Sequence, residues 1–204
     1  VHKYLLVKRS LPHSLYVQPK ETGGAAMLET RTLFGGAFQI QLPASFKDVS
    51  TFRQVPDNQE VFVNDDNEES VSIDILDSVT ATSPGEAARL HFEAIAECNA
   101  ASSSTIQSVR LHSSDSCPSV VLVHGLQKVA KFNQVEEDLV QIAFALYRFT
   151  DNQADVLVCH NKPCPSSFEN GSATWLGDSS QSSPAGINET CLLSLRLLDP
   201  GIFG

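Results

Sequence analysis

Asp57 and Glu60 stand three positions apart in VPDNQEVF (55–62), with Asn58 and Gln59 between them and Pro56 in front. Two carboxylates at this spacing support two kinds of chemistry. Asp57 can cap a single helical turn with Glu60 at the box position. Both acids can also sit on a tight surface bend, where little freedom is lost when they pair with a cationic partner. The two readings are compatible and both stay open from the residues alone.

Other groups have weaker claims. Cys159-His160-Asn161-Lys162-Pro163-Cys164 holds metal-type donors, but the spacing is loose and no second Cys/His pair supports it. Cys159 instead continues a strand-like alternation as a small buried residue. NDDNEES (64–70) is rich in oxygen donors, yet it lacks the glycine and distal glutamate of a calcium loop and reads as a solvated hairpin tip. His91 lies on an apolar helical stripe with no identifiable base or nucleophile beside it, as a packed histidine would. No phosphate-loop, serine-elbow or zinc-protease motif occurs, and Gly35-Gly36 reads as a bend rather than a phosphate cradle. Asn170 and Asn188 begin glycosylation sequons read as chance matches. The chemistry is that of a binding protein: no catalytic residue, metal or cofactor is called for.

The elements that must hold these groups are legible in outline. LFGGAFQIQLP (33–43) reads as two extended pieces joined at Gly35-Gly36. Residues 60–64 and 71–77 read as strands of a hairpin around the acidic loop. Ser83-Pro84-Gly85-Glu86 is a helix start, and Ala87, Leu90, His91, Ala94, Ile95 and Cys98 follow at helical spacing. Strands are expected over 105–112, 120–132, 139–149 and 155–161, with 151–154 as a hairpin connection. Ile187, Cys191, Leu192 and Leu195 space a second amphipathic helix, stopped by Pro200. Runs of strands with helices in separate places indicate an α+β layered domain.

The 204 residues, 42% hydrophobic and 19% charged, suit one soluble globular domain. Net charge is −10, which disfavours nucleic acid and anionic lipid and favours a partner with a basic face. No apolar run reaches the length of a membrane helix. Five scattered cysteines fit free thiols in a reducing compartment. Residues 1–31 are expected to be a flexible leader or extension, and 32–204 a single domain with a mobile serine-rich loop at 163–184. The basic segment 1–26 is either an extension ahead of a start at Met27 or a targeting leader.

LFGGAF (33–38), DVSTFRQVPDNQEVF (48–62), AARLHFE (87–93), GLQKVAKFN (125–133) and LDPGIFG (198–204) resemble, in order, the Ran guanine nucleotide release factors. The likeness spans about 32–204, and VPDNQEVF is its most specific block. It implies a three-layer α/β/α sandwich around a central, mostly antiparallel sheet, as in the photosystem protein PsbP. It also implies binding to the GTPase Ran, nucleotide release and support of nuclear import, in nucleus and cytoplasm. The family's Ran-contacting acids fall on Asp57 and Glu60, with Asn58, Gln59 and Arg53 as neighbours. Asp65 and Asp66 extend the negative field by proximity in sequence. A monomer is expected, with room for a Ran-binding co-regulator. The alternatives are an adaptor without release activity and a PsbP-like structural subunit.

Overall fold

The computed structural model of the protein describes residues 27–51, 54–114, 117–130, 137–164 and 186–204. The basic segment 1–26 and nearly all of the expected serine-rich loop lie outside the described residues. Among the described residues ten strands and two α-helices follow one another. They are β1 (Leu28–Leu33), β2 (Phe38–Pro43), β3 (Lys47–Asp48), β4 (Gln59–Val63), β5 (Ser70–Asp77), α1 (Pro84–Cys98), β6 (Ala101–Ser114), β7 (Cys117–Ala130), β8 (Glu137–Phe149), β9 (Ala154–Pro163), α2 (Glu189–Leu192) and β10 (Arg196–Leu197).

Seven strands form the central sheet in the order β3-β4-β5-β9-β8-β7-β6, and every pairing within it is antiparallel. β8 and β9 lie near its middle. Their residues 142–147 and 154–160 are buried without a break because both faces of the sheet are covered. On one face α1 lays Ala87, Ala88, Phe92 and Ile95 against Val121, Val123, Ile142, Phe144 and Leu157. On the other face the cover is a second sheet, in the order β1-β2-β10, joined by the single turn of α2. There Leu33, Phe38, Ile40, Cys191 and Leu192 meet Ile73, Leu122, Tyr147 and Val158.

The sheet is antiparallel as expected, but the α/β/α sandwich is met on one side only. A helix covers one face, and mostly strand covers the other. The reason is non-local. Ile187, Cys191, Leu192 and Leu195 are all buried as their spacing indicates, yet the helix stops after four residues because Arg196–Leu197 pairs with Gln39–Phe38 of β2. Strand β1 begins at Leu28, ahead of the boundary expected near Thr32, since residues 28–33 pair with 43–38 of β2.

The start of α1 follows its sequence closely. Ser83 Oγ accepts from Glu86 N at 3.2 Å, and the Glu86 carboxylate reaches back to Thr82 N at 2.6 Å, one residue earlier than an ideal box. Its apolar stripe is rotated from the expected one: Ala88 and Phe92 face the sheet, while Cys98 is exposed and Leu90 is 37% exposed. Among the described residues no helix is long and apolar enough to cross a membrane.

Candidate functional site

Pro56 to Gln59 form a β-turn rather than a helical turn: Gln59 N donates to Pro56 O at 2.9 Å, and strand β4 begins at once. Asn58 explains the choice. Its backbone O accepts from Ile75 N at 2.9 Å and its side-chain Nδ2 donates to Ile75 O at 3.0 Å, so the turn is stitched to β5 before a helix could form. Asp57, at the tip, is exposed and has no hydrogen bond or ion pair among the described residues.

Gln59 turns the other way. It is 5% exposed, and its Nε2 donates to Asp74 Oδ1 at 2.5 Å. Asp74, 3% exposed, also accepts from Ser72 Oγ at 2.9 Å. Burial raises the Asp74 carboxyl from 3.8 to about 6, and the Gln59 and Ser72 hydrogen bonds offset only part of that rise. Gln59 Oε1 is buried with no hydrogen-bond partner among the described residues. Asn58 and Gln59 therefore brace the turn from within, and Asp57 projects from it.

Glu60 is half-buried on β4, and its Oε1 accepts from the backbone N of Phe34 at 2.8 Å. Phe34, Gly35 and Gly36 form the bend between β1 and β2, with φ of 50°, 66° and 110°. Two glycines make such a run of left-handed residues accessible. Behind the bend, Leu198 N and Asp199 N both donate to Ala37 O at 2.8 and 3.1 Å, and the Phe203 ring lies 6.0 Å from Phe38 and 5.1 Å from Phe149. An open cleft of about 350 Å³ beside the knuckle is lined by Asn58, Ile75, Asp77, Ile202 and Phe203 among others. Three stretches far apart in sequence, around 34–38, 56–60 and 198–203, thus meet at one end of the molecule.

The remaining candidates lie elsewhere. Arg53 is outside the described residues. Asp65 pairs with Lys47 Nζ at 3.1 Å, while Asp66 N closes a turn onto Asn64 Oδ1 at 3.1 Å. The hairpin tip is not wholly solvated: Glu69 is buried beside His160 Nε2 at 3.1 Å and Lys162 Nζ at 3.5 Å. Burial pushes that carboxyl up, but His160 and Lys162 together bring it below its ordinary value. Cys159 packs under α1, whereas His160 points to the opposite face, so this pair cannot share a metal. Among the described residues no group of three metal-type donors exists.

His91 is buried, and its partner could not be read from sequence. Its Nε2 lies 2.9 Å from Asp155 Oδ2, and Asp155 also holds Arg148 Nε at 2.9 Å and Val79 N at 3.1 Å. Burial works against the Asp155 charge, yet the bonds from His91, Arg148 and Val79 outweigh it and hold the carboxyl below its usual range. This network, which also takes a hydrogen bond from Ser78 Oγ to Asp155 Oδ1 at 3.2 Å, ties α1 to the sheet. A serine–histidine–glutamate alignment runs across β6, β7 and α2, with Ser108 Oγ 3.2 Å from His124 Nδ1. Glu189 Oε1 stands 3.7 Å from His124 Nε2 and is engaged by Arg110, so no connected proton relay forms.

The fold is a sheet-based module that carries a braced acidic turn at this end. Residues 31–163 match the family model described as Ran-interacting Mog1 protein. A Ran guanine nucleotide release factor of Danio rerio is 34% identical over 86% of this chain and 100% of its own length. The Saccharomyces cerevisiae nuclear import protein MOG1 is 33% identical over 64% of each chain. The chain belongs to the Ran-interacting Mog1 family. Its fold is that of the solved S. cerevisiae Ran-binding protein Mog1p, with a TM-score of 0.67 at 22% identity over 88% of this chain and 100% of that one. The fold is also similar to that of cyanobacterial PsbP from Synechocystis, with a TM-score of 0.50 at 11% identity over 90% of this chain and 99% of that one.

Proposed function

We propose that this protein binds the small GTPase Ran and promotes release of its guanine nucleotide, in support of nuclear protein import. Family membership over residues 31–163 carries the proposal. The geometry adds a docking point: Asp57 is exposed on a turn that Asn58 and Gln59 hold rigid, so little entropy is lost when it meets a basic patch. Glu60 stands at the base of the same turn.

Release needs no bond cleavage and so no catalytic base, which makes the protein a non-enzymatic regulator. If it binds nucleotide-free Ran more tightly than loaded Ran, linkage requires it to weaken nucleotide binding by the same factor, typically about 1–3 kcal/mol. The knuckle does this by pairing with a Ran cation that otherwise supports the phosphates or switch loops, or by disturbing the magnesium site. It acts as a monomer, in the nucleus and the cytoplasm.

The test is a titration with Ran in each nucleotide state, together with a fluorescent-nucleotide release assay. Asp57→Ala combined with Glu60→Ala is expected to keep a cooperative melt and to weaken Ran binding by about tenfold or more. Wild-type affinity in that variant removes the assignment. Tight binding by the wild type without faster nucleotide release leaves an adaptor instead.

A further inference from the structure

The two acids of the knuckle are not equivalent, and the difference concerns how Glu60 works. Asp57 is exposed and unpaired among the described residues, whereas Glu60 is half-buried and already committed, through Oε1, to the backbone N–H of Phe34 at 2.8 Å. That amide opens a bend in which three consecutive residues have positive φ, 50°, 66° and 110°. Phe34 lacks the freedom of a glycine at this angle, so its conformation depends on what holds it. A carboxylate hydrogen bond to a backbone N–H is charge-assisted and short, well suited to fixing a strained bend across 26 residues of sequence. The bend faces outward: Gly35 is exposed, and a Cβ built on Gly35 or Gly36 would meet nothing within 4 Å. Its bare backbone lies beside the acidic turn, on the same end of the molecule.

Resting on the Ran-binding function argued above, we propose that Glu60 is a positioning residue: it holds the Phe34–Gly36 bend in place as a second contact element beside Asp57. Asp57 supplies the charge that meets the basic partner. Glu60 supplies the shape, through the Phe34 amide. The GTPase therefore contacts this protein through a carboxylate and through exposed glycine backbone.

Glu60→Gln separates the roles, because an amide oxygen still accepts from Phe34 N–H while the charge is gone. Ran is titrated into the wild type, Asp57→Ala, Glu60→Ala and Glu60→Gln, and amide resonances of residues 34–36 are followed in the isotope-labelled protein. Glu60→Ala is expected to shift the Phe34 amide and to weaken binding by about tenfold. Glu60→Gln is expected to restore both the resonance and the affinity to within about threefold. The Gly35 and Gly36 amides of the wild type are expected to move when Ran is added. Glu60→Gln that folds normally but binds as weakly as Glu60→Ala overturns the proposal, as does a bend untouched by Ran. In either case a defect in Asp57→Ala leaves the Ran-binding function standing. Wild-type binding by Asp57→Ala and Glu60→Ala alike overturns the proposal and places the Ran contact away from this turn, whereas a wild-type protein that fails to bind Ran overturns the Ran-binding function itself. If Glu60→Ala fails to fold, Glu60→Gln alone decides.

Discussion

Asp74 lies directly behind the knuckle, and its energetics run opposite to those of the other buried acids. Its folded carboxyl sits at about 6 against an ordinary 3.8, so the native state holds a proton that the unfolded chain releases between those values. Its contribution is fully present below pH 3.8 and is lost as pH rises through about 6. At neutral pH the buried charge is a penalty of about 3 kcal/mol, because each pH unit separating the folded and unfolded carboxyl corresponds to about 1.36 kcal/mol. Asp74→Asn keeps the size and an acceptor for Gln59 without that charge, and it is expected to raise the denaturant midpoint at pH 7.5. At pH 5 about half of the advantage should remain, and most of it should vanish only near pH 4, where the unfolded carboxyl also takes up its proton. The difference between the two proteins is the quantity to measure, because burial lowers the His124 pKa and so removes stability over the same window as pH falls. Asp155 and Glu69, held below their ordinary values, act only at lower pH. A midpoint in Asp74→Asn that is unchanged or lowered at pH 7.5 would contradict this account of the buried charge.

At the scale of elements, the helix α1 and the strand β7 interlock at one point. A Cβ added to Gly125 would lie 2.3 Å from Phe92 Cζ, 2.4 Å from Phe92 Cε2 and 2.8 Å from the backbone O of Thr105. Phe92 cannot swing clear, because it is 2% exposed and packs near Phe144 with ring centroids 6.5 Å apart. Gly125→Ala is expected to destabilise the fold by about 1–3 kcal/mol, read as a fall in Tm of roughly 2–4 °C per kcal/mol. An unchanged melt would mean that the helix slides without loss. The same interlock explains what the sequence could and could not convey. The cap of α1 was legible because Ser83, Pro84 and Glu86 act on their own neighbours. The orientation of its stripe was not, since Phe92 faces inward only because β7 carries a glycine beneath it. Likewise the burial of Ile187 and Leu195 was legible from spacing, while the brevity of α2 depends on pairing with a strand more than 150 residues earlier. At the site, Asp57 could be singled out by type and position. The partner of Glu60 is a main-chain amide, which no side-chain pattern marks.

Across the whole molecule, charge and architecture act together on association. The net charge is −10, and the end of the fold where three distant stretches meet carries Asp57 at an exposed tip. A surface of one sign raises the encounter rate with a basic partner and falls silent once salt shortens the Debye length, about 10 Å at 0.1 M and about 3 Å at 1 M. Dissociation depends instead on short contacts formed after docking, which salt screens much less. The association rate with Ran is therefore expected to fall by about tenfold between low salt and 0.5 M, with the dissociation rate changing by less than about threefold. Stopped-flow mixing at several ionic strengths measures both. Glu60→Gln is an informative companion, because it lowers the charge by one while keeping the bend's hydrogen-bond acceptor. Its association rate should drop slightly and its dissociation rate should stay near that of the wild type. A dissociation rate that carried the salt dependence would mean that the acidic turn holds the bound complex through solvent-exposed ion pairs rather than only steering the encounter.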